Sequence, residues 1–412
     1  MSPLQRRAPQ KPQQSPSNRS TFRRTRKVIL HSTLTGRSLG CQKVARSPAD
    51  TPLSRLYGNT RTLGRVFGVG ILVVKIDATS SRRSTDLMQS IDIVVPCYNY
   101  SRYLRECVDS ILGQDGCLIR ILIIDDASSD GSVEVARDLA ARDSRVELSI
   151  HADNKGHIKT YNEGIAWARQ TYFLLLSADD LLAPGALKRA ADLLDANPGV
   201  AFVHGRAITF WGGVPPIKTD VASTPPRIVP GPQFIANICA NPVNPVTTAT
   251  AVVRTSVQKK VGLYKHALPH AGDLEMWLRC AMYGDVGEIY NIQGFRRMHD
   301  SNMCMLYAAD GLMIRDFTQR YQAFQIFFAE HDHDLNDGEQ LRTSANYQLA
   351  DQIIDEAREQ FRKKRLYSSF ELLQLAFRVA PAIFLNSRWW LRVARWFWRR
   401  AGRILAGVCP RY

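Results

Sequence analysis

The chain is 412 residues long, 45% hydrophobic and 22% charged, ordinary values for a globular protein with room for two or three domains. The formal net charge of +16 is confined to the ends: residues 1–87 carry 17 Lys and Arg against Asp50, Asp77 and Asp86, and residues 388–412 hold seven Arg and no acid. The body between them is mildly acidic, which excludes a basic nucleic-acid groove as the main role of the fold.

Residues 1–87 are rich in Arg, Ser, Thr, Pro and Gln, lack Glu, and show no periodicity beyond a strand-like Val66–Ile76. Such a composition buries too little apolar surface to offset ordering entropy. A disordered basic extension is therefore expected, with Met88 as the expected true start; a transit-like segment and a basic tether are the other readings. Val66–Val74 is far too short to span a bilayer and lacks a small-residue cleavage site. Eight cysteines without a C-x-x-C pair argue against a zinc site and a disulfide framework, and a reducing, cytoplasmic compartment is expected.

From Ile91 the pattern alternates strand and helix. Strands are expected at Ile91–Val95, Ile119–Ile124, Val146–Ile150, Tyr172–Leu176 and Val200–His204. The helices between them are Ser101–Gly113, Ser132–Arg142, Lys159–Arg169 and Pro184–Asn197. Fully apolar strands alternating with helices predict an α/β, doubly wound, mostly parallel sheet. Trp211–Pro245, with its many prolines, reads as a loop insertion. Thr247–Arg254 and Val286–Tyr290 read as strands and Gly272–Tyr283 as a helix. Leu312–Glu330, Ser344–Phe361 and Ser369–Val379 read as amphipathic helices of a C-terminal extension.

Two apolar strands end in paired acids: ILIIDDASSDG at Ile121–Gly131 and LLLSADD at Leu174–Asp180. Ligands of open α/β sheets bind beyond the carboxyl ends of the strands, so these acids mark a candidate site for a nucleotide, a metal, or both. Tyr98, after the first strand, can stack on a flat base, and Asp126 can accept from a base N–H. The bland readings are that Asp125 and Ser128 cap the helix near Ser132, that Asp179 and Asp180 form a turn before Pro184, and that Asp273 complements a helix dipole. Glu275 and Arg279, one turn apart, read as a helix-surface pair.

Taken in order, VPCYN, ILIIDDASSDGS, Asn154-Lys155-Gly156 with Asn162-Glu163-Gly164, LLLSADD, Gly272–Arg279 and Arg297-Met298-His299 resemble the family 2 glycosyltransferases of the GT-A fold, over about Ile91–His299. The resemblance implies a doubly wound mixed (Rossmann-like) sheet at 88–303, and the amphipathic helices that follow are expected to form a helical extension at 304–387. It also implies an inverting transferase using a nucleotide diphosphate sugar, with uridine the expected base and a hydroxyl of a glycan or lipid-linked glycan as acceptor. Carried over, Pro96, Tyr98, Asn99, Asp126, Ser128, Gly156, Asn162 and Asp179 would bind the nucleotide sugar. Asp179, Asp180 and His299 would hold a divalent metal (Mg or Mn), and Asp273 would be the catalytic base. Two departures stand out. Ser177 replaces the first acid of the usual D-x-D-D, and Tyr161 replaces an Arg, leaving Lys155 or Lys159 to meet the diphosphate.

Arg388, Arg392, Arg395, Arg399 and Arg403 share one helical face opposite Trp390, Phe397 and Trp398. That pattern suits an interfacial helix on the anionic inner face of a cytoplasmic membrane, or a helix packing its Trp stripe onto the catalytic domain. Competing functional classes are a nucleotide-binding protein of the same fold without transferase activity and a basic nucleic-acid-binding protein. A dinucleotide enzyme is disfavoured because no G-x-G-x-x-G follows the first strand.

Overall fold

The computed structural model describes residues 89–213, 215, 224–300, 302, 305 and 313–385. The extension 1–87, Met88, and the Arg/Trp segment 388–412 lie outside them. The first half alternates as expected: β1 (Ser90–Cys97), α1 (Ser101–Leu112), β2 (Leu118–Asp125), α2 (Ser132–Arg142), β3 (Val146–Ile150), α3 (His157–Trp167) and β4 (Tyr172–Leu175). Strands β3, β2, β1 and β4 lie side by side and parallel. β1, β4 and most of β2 are buried on both faces, as with Ile91, Ile93, Val94 and Val95 of β1, which is why they read as unbroken apolar runs; β3, at the sheet edge, is mostly half-buried or exposed. Each such side chain contributes about 1.5–3 kcal/mol when fully buried.

Register fixes where the chemistry lands. β1 pairs with β2 from Ser90 against Leu118 to Cys97 against Asp125, so the two strands end level and Tyr98 emerges beside Asp126. Helix α3 lies tight on β1: a Cβ on Gly164 would meet Val94 Cγ1 at 2.4 Å. The glycine of the Asn162-Glu163-Gly164 motif is thus required by packing.

The second half is mixed. It runs β5 (Leu181–Leu182), α4 (Ala186–Ala196), β6 (Val200–Trp211), β7 (Arg227–Val229), α5 (Gly231–Ala240), β8 (Val252–Arg254), α6 (Thr255–Val261), α7 (Gly272–Ala281) and β9 (Asp285–Met298). The sheet order is β3-β2-β1-β4-β8-β6-β9-β5, with β7 also on β9. Strand β8 is antiparallel to both β4 and β6, while β6 and β9 run parallel.

Three details depart from the sequence reading. The proline-rich Trp211–Pro245 segment contains α5, because Pro232 sits in a first turn where no backbone donor is needed, and Phe234, Ile235 and Ile238 are buried. Strands β6 and β9 continue well past the expected limits, carrying Arg296 and Arg297 to the site. Thr248–Thr250 is a 3-10 turn and not part of the strand.

Helices α8 (Met313–His331), α9 (Gly338–Arg362) and α10 (Leu366–Val379) follow. Their Phe324, Phe327, Ile353 and Leu372 join one continuous core with Phe234 of α5 and Trp277 of α7. Among the described residues no helix is long and apolar enough to cross a membrane. Cys97, Cys107, Cys117, Cys239 and Cys280 are buried free thiols.

Candidate active site

Two of the expected site residues build the loops around the cavity. Asn99 sits at φ 60°, a left-handed conformation that Asn tolerates better than most residues. Its backbone N–H donates to Ser128 Oγ (2.9 Å) and its Oδ1 accepts from the Ser129 N–H (2.8 Å). The Ser128 N–H in turn donates to Asp125 Oδ1 at 2.9 Å. Asn99 and Ser128 therefore latch the β1–α1 loop to the β2–α2 loop. That latch holds Tyr98, 48% exposed, at the cavity mouth.

Asp126 is buried and heavily engaged. Its Oδ1 accepts from the Lys155 N–H (2.7 Å) and its Oδ2 from the Gly156 N–H (2.8 Å). Gly156, at φ +81°, gives the loop the turn that permits this. His151 Nδ1 lies 2.7 Å from Asp126 Oδ1, and Nε2 lies 2.8 Å from Glu163 Oε2. Burial pushes the Glu163 carboxyl up, but hydrogen bonds from His151 and Ser149 outweigh it and hold it below the usual range. His151 was not singled out in the sequence; its partners lie 25 and 12 residues away, and only the fold brings them together.

Asn162 is elsewhere. Its Nδ2 donates to the Tyr264 carbonyl (3.0 Å) and its Oδ1 accepts from the Tyr264 N–H (2.8 Å). With both amide atoms spent on the backbone of Tyr264, Asn162 pins the chain before α7 and lines neither cavity described below, so the structure does not bring it to the nucleotide-sugar contact expected of it.

The turn after β4 presents the acid pair. Asp179 Oδ2 accepts from His299 Nε2 (3.1 Å) and Asn302 Nδ2 (2.9 Å), and Asp180 Oδ1 accepts from the Arg297 N–H (3.0 Å). Burial, then the neighbouring Asp179, push the Asp180 carboxyl up to about 8. Arg297, almost wholly buried, donates to the Asp179 carbonyl (3.1 Å) and pairs with Glu106. His299 stacks on Tyr103 with ring centroids 4.9 Å apart, and its Nδ1 is buried without a partner among the described residues.

Asp273 opens α7. Its Oδ2 accepts from Asn244 Nδ2 (2.9 Å) and Thr248 Oγ1 (3.4 Å), and its Oδ1 from the Leu274 N–H (2.8 Å). Burial pushes its carboxyl above the ordinary aspartate range. Glu275 and Arg279, expected on the helix surface, are buried instead. Arg279 donates bidentately to Glu275 (2.7 and 2.8 Å), to the Leu263 carbonyl (2.9 Å), and to the Val261 carbonyl. The pair ties the end of α6 to α7, and α8–α10 belong to the core that covers this part of the fold.

Two cavities meet here. One of about 280 Å³ is bordered by Tyr98, Asp126, Asp179 and Asn302; the other, of about 370 Å³, by Asn244, Thr248 and Asp273. Pro96, His157, Tyr161, Ser177, Asp180 and Arg296 line both. The cation bordering both cavities is Arg296, whereas neither Lys155 nor Lys159 lines them. Asn99, Ser128, Gly156, Asn162 and His299 also stay off the walls.

Among the described residues no group of three or more His, Cys, Asp and Glu side chains stands ready to hold a metal. His299 is hydrogen-bonded to Asp179, so it orients that carboxylate. The Asp179–Asp180 pair itself fits a hard divalent cation: two adjacent carboxylates, the second pushed up by burial and then by the first, form an oxygen donor set whose mutual repulsion a cation relieves.

The family model described as glycosyl transferase family 2 matches residues 92–261. The uncharacterized glycosyltransferase EpsJ of Bacillus subtilis (strain 168) is 36% identical over 107 residues, covering 26% of this chain and 31% of its own. Glycosyltransferase GlyG of Streptococcus pneumoniae serotype 4 (strain ATCC BAA-334 / TIGR4) is 37% identical over 97 residues, covering 23% and 32%. The chain thus spans about a third of the length of these relatives. Among solved structures, S. aureus TarS 1-349 in complex with UDP-GlcNAc has 15% identity and a TM-score of 0.45, covering 71% of this chain and 91% of that one. Residues 92–261 thus form a segment that matches glycosyl transferase family 2.

Proposed function

We propose that the protein is an inverting glycosyltransferase that moves a sugar from a nucleoside diphosphate, with UDP-sugars as the expected donors, to a hydroxyl of a glycan or lipid-linked glycan. The observation that carries this reading is the pair of adjoining cavities at the strand ends, with the acid pair bordering one and Asp273 bordering the other. In this reading Tyr98 stacks on the base at the mouth, and the walls at Pro96 and Asp126 receive base and ribose. Asp179 and Asp180 hold a divalent cation. When bound, that ion supplies positive charge opposite the diphosphate. Arg296 adds a second positive charge from the opposite strand.

Asp273 accepts the acceptor's hydroxyl proton as its oxygen bonds to the anomeric carbon. The bond from that carbon to the phosphate oxygen breaks on the other face, the electron pair leaves with the nucleoside diphosphate, and configuration inverts. Burial suits Asp273 to this role, since a carboxylate pushed up toward neutrality is the stronger base. Asn244, Thr248 and the Leu274 N–H fix its orientation. Contact with an anionic membrane at the cytoplasmic face is assigned to 388–412, on sequence spacing alone.

The test is a thermal-shift screen of nucleoside diphosphate sugars with and without manganese. Binding at a hundred times the dissociation constant adds about 2.7 kcal/mol. Stabilisation by at least one sugar nucleotide, strengthened by manganese, is expected. No stabilisation by any of them would contradict the reading.

A further inference from the structure

A third cavity, of about 410 Å³, lies where α7 meets α8 and α9. Asn244, His270 and Asp273 line both it and the cavity described above, so the two chambers adjoin at these residues. The remaining walls come largely from the helical segment: Asp316, Phe317 and Arg320 of α8 and Gln352 of α9. We infer that this chamber is the acceptor site, that it takes a neutral sugar unit, and that Arg320, Asp316 and Gln352 set its specificity. The inference rests on the assignment of Asp273 as base and extends it to the other substrate.

The chemistry of the walls selects the class. Arg320 and Asp316 are paired at 2.8 Å, and His270 Nε2 lies 3.0 Å from the other Asp316 oxygen, so the charges cancel locally and no net positive field awaits an anionic group. Gln352 Oε1 accepts from Arg320 at 3.0 Å, and the same guanidinium nitrogen donates to the Pro242 carbonyl at 2.8 Å. The Arg320 guanidinium carbon stands 4.5 Å from the Phe317 ring centroid, and its Nε is buried without a partner among the described residues. Rigid donors and acceptors of this kind match the vicinal hydroxyls of a sugar. Val243 lines the chamber and is 48% exposed, which marks the entrance from solvent.

The test uses the full-length protein and four neutral probes, the methyl glycosides of glucose, galactose, mannose and N-acetylglucosamine, with methyl glucuronide and glucose 1-phosphate as anionic comparators. Binding is read by saturation-transfer NMR. Val243→Trp, at an exposed position outside the core, narrows the entrance; Gln352→Met keeps the side chain's length but removes its amide. At least one neutral glycoside is expected to bind the wild type more tightly than either anion. Its signal should vanish in Val243→Trp, and its affinity should fall about fivefold to tenfold in Gln352→Met, the loss of one hydrogen bond. The inference is overturned if no neutral glycoside binds, if an anion binds as well, or if Val243→Trp binds as the wild type does. UDP binding by the wild type, measured alongside, reports on the donor reading separately, because the glycoside result needs no nucleotide.

Discussion

Asp273→Asn separates the chemical step from donor binding. The asparagine is isosteric: its Oδ1 can keep the Leu274 N–H, and the Thr248 hydroxyl can turn to accept from the new amide. Only the hydrogen bond from Asn244 is set against a donor. Asp273 borders the larger cavity and not the one holding Tyr98, Asp126 and Asp179, so nucleotide affinity should change by less than about twofold, well within one hydrogen bond's worth. Turnover should fall by roughly 10²–10⁴, the usual contribution of a general base, or about 2.7–5.4 kcal/mol at 1.36 kcal/mol per tenfold. The assay is steady-state release of nucleoside diphosphate at saturating donor, with nucleotide affinity by calorimetry on the same preparations. Stability gives a second readout. Burial raises the Asp273 carboxyl in the folded state, so its stabilising contribution is present at low pH and is lost as pH rises through the folded value. The variant lacks that loss, and its Tm relative to wild type should climb as pH rises above the ordinary aspartate range. Turnover within threefold of wild type would refute the base assignment.

Removing one partner of the buried pair, as in Arg279→Met, strands a charge at Glu275 and should cost about 3–5 kcal/mol in urea unfolding; Glu275→Gln in the same chain should restore part of it. His151→Asn frees Asp126 and the Lys155–Gly156 loop from their anchor, so donor KM should rise about tenfold with kcat little changed, the loss of a charge-assisted hydrogen bond; an equal fall in kcat would point to a chemical role. Gly164→Ala drives a methyl against Val94 and should cost roughly 1–3 kcal/mol as an overpacked contact, read as a lower Tm. The acid limb of the rate profile should lie above the ordinary aspartate range, because the base must be ionised and burial raises it.

The first half of the fold was legible because the apolar runs of β1, β2 and β4 each serve one buried parallel strand. Helix α2 and strand β3 begin and end where their residues say. The acids at strand ends were legible for the same reason, since an apolar run that stops at a carboxylate marks a sheet edge. What the residues did not reveal depends on partners far along the chain. Asn162 and Tyr264 are 102 positions apart, and nothing local says that this amide is spent on a backbone. Arg279 and Glu275 have the spacing of a surface pair, and only their place in the core shared with α8–α10 makes them interior. Arg296 escaped notice because β9 was expected to stop at Tyr290, whereas its pairing with β6 continues to Met298. Helix α5 was hidden by reading its prolines as breakers.

The central claim is that donor and base share one continuous space between Tyr98 and Asp273. A crystal structure of the protein with UDP and manganese tests it most directly. The base is expected against Tyr98, the diphosphate beside Asp180 and Arg296, and its outer phosphate directed toward the Asp273 chamber. A nucleotide bound anywhere else on the molecule, or one whose diphosphate points away from Asp273, would contradict the account.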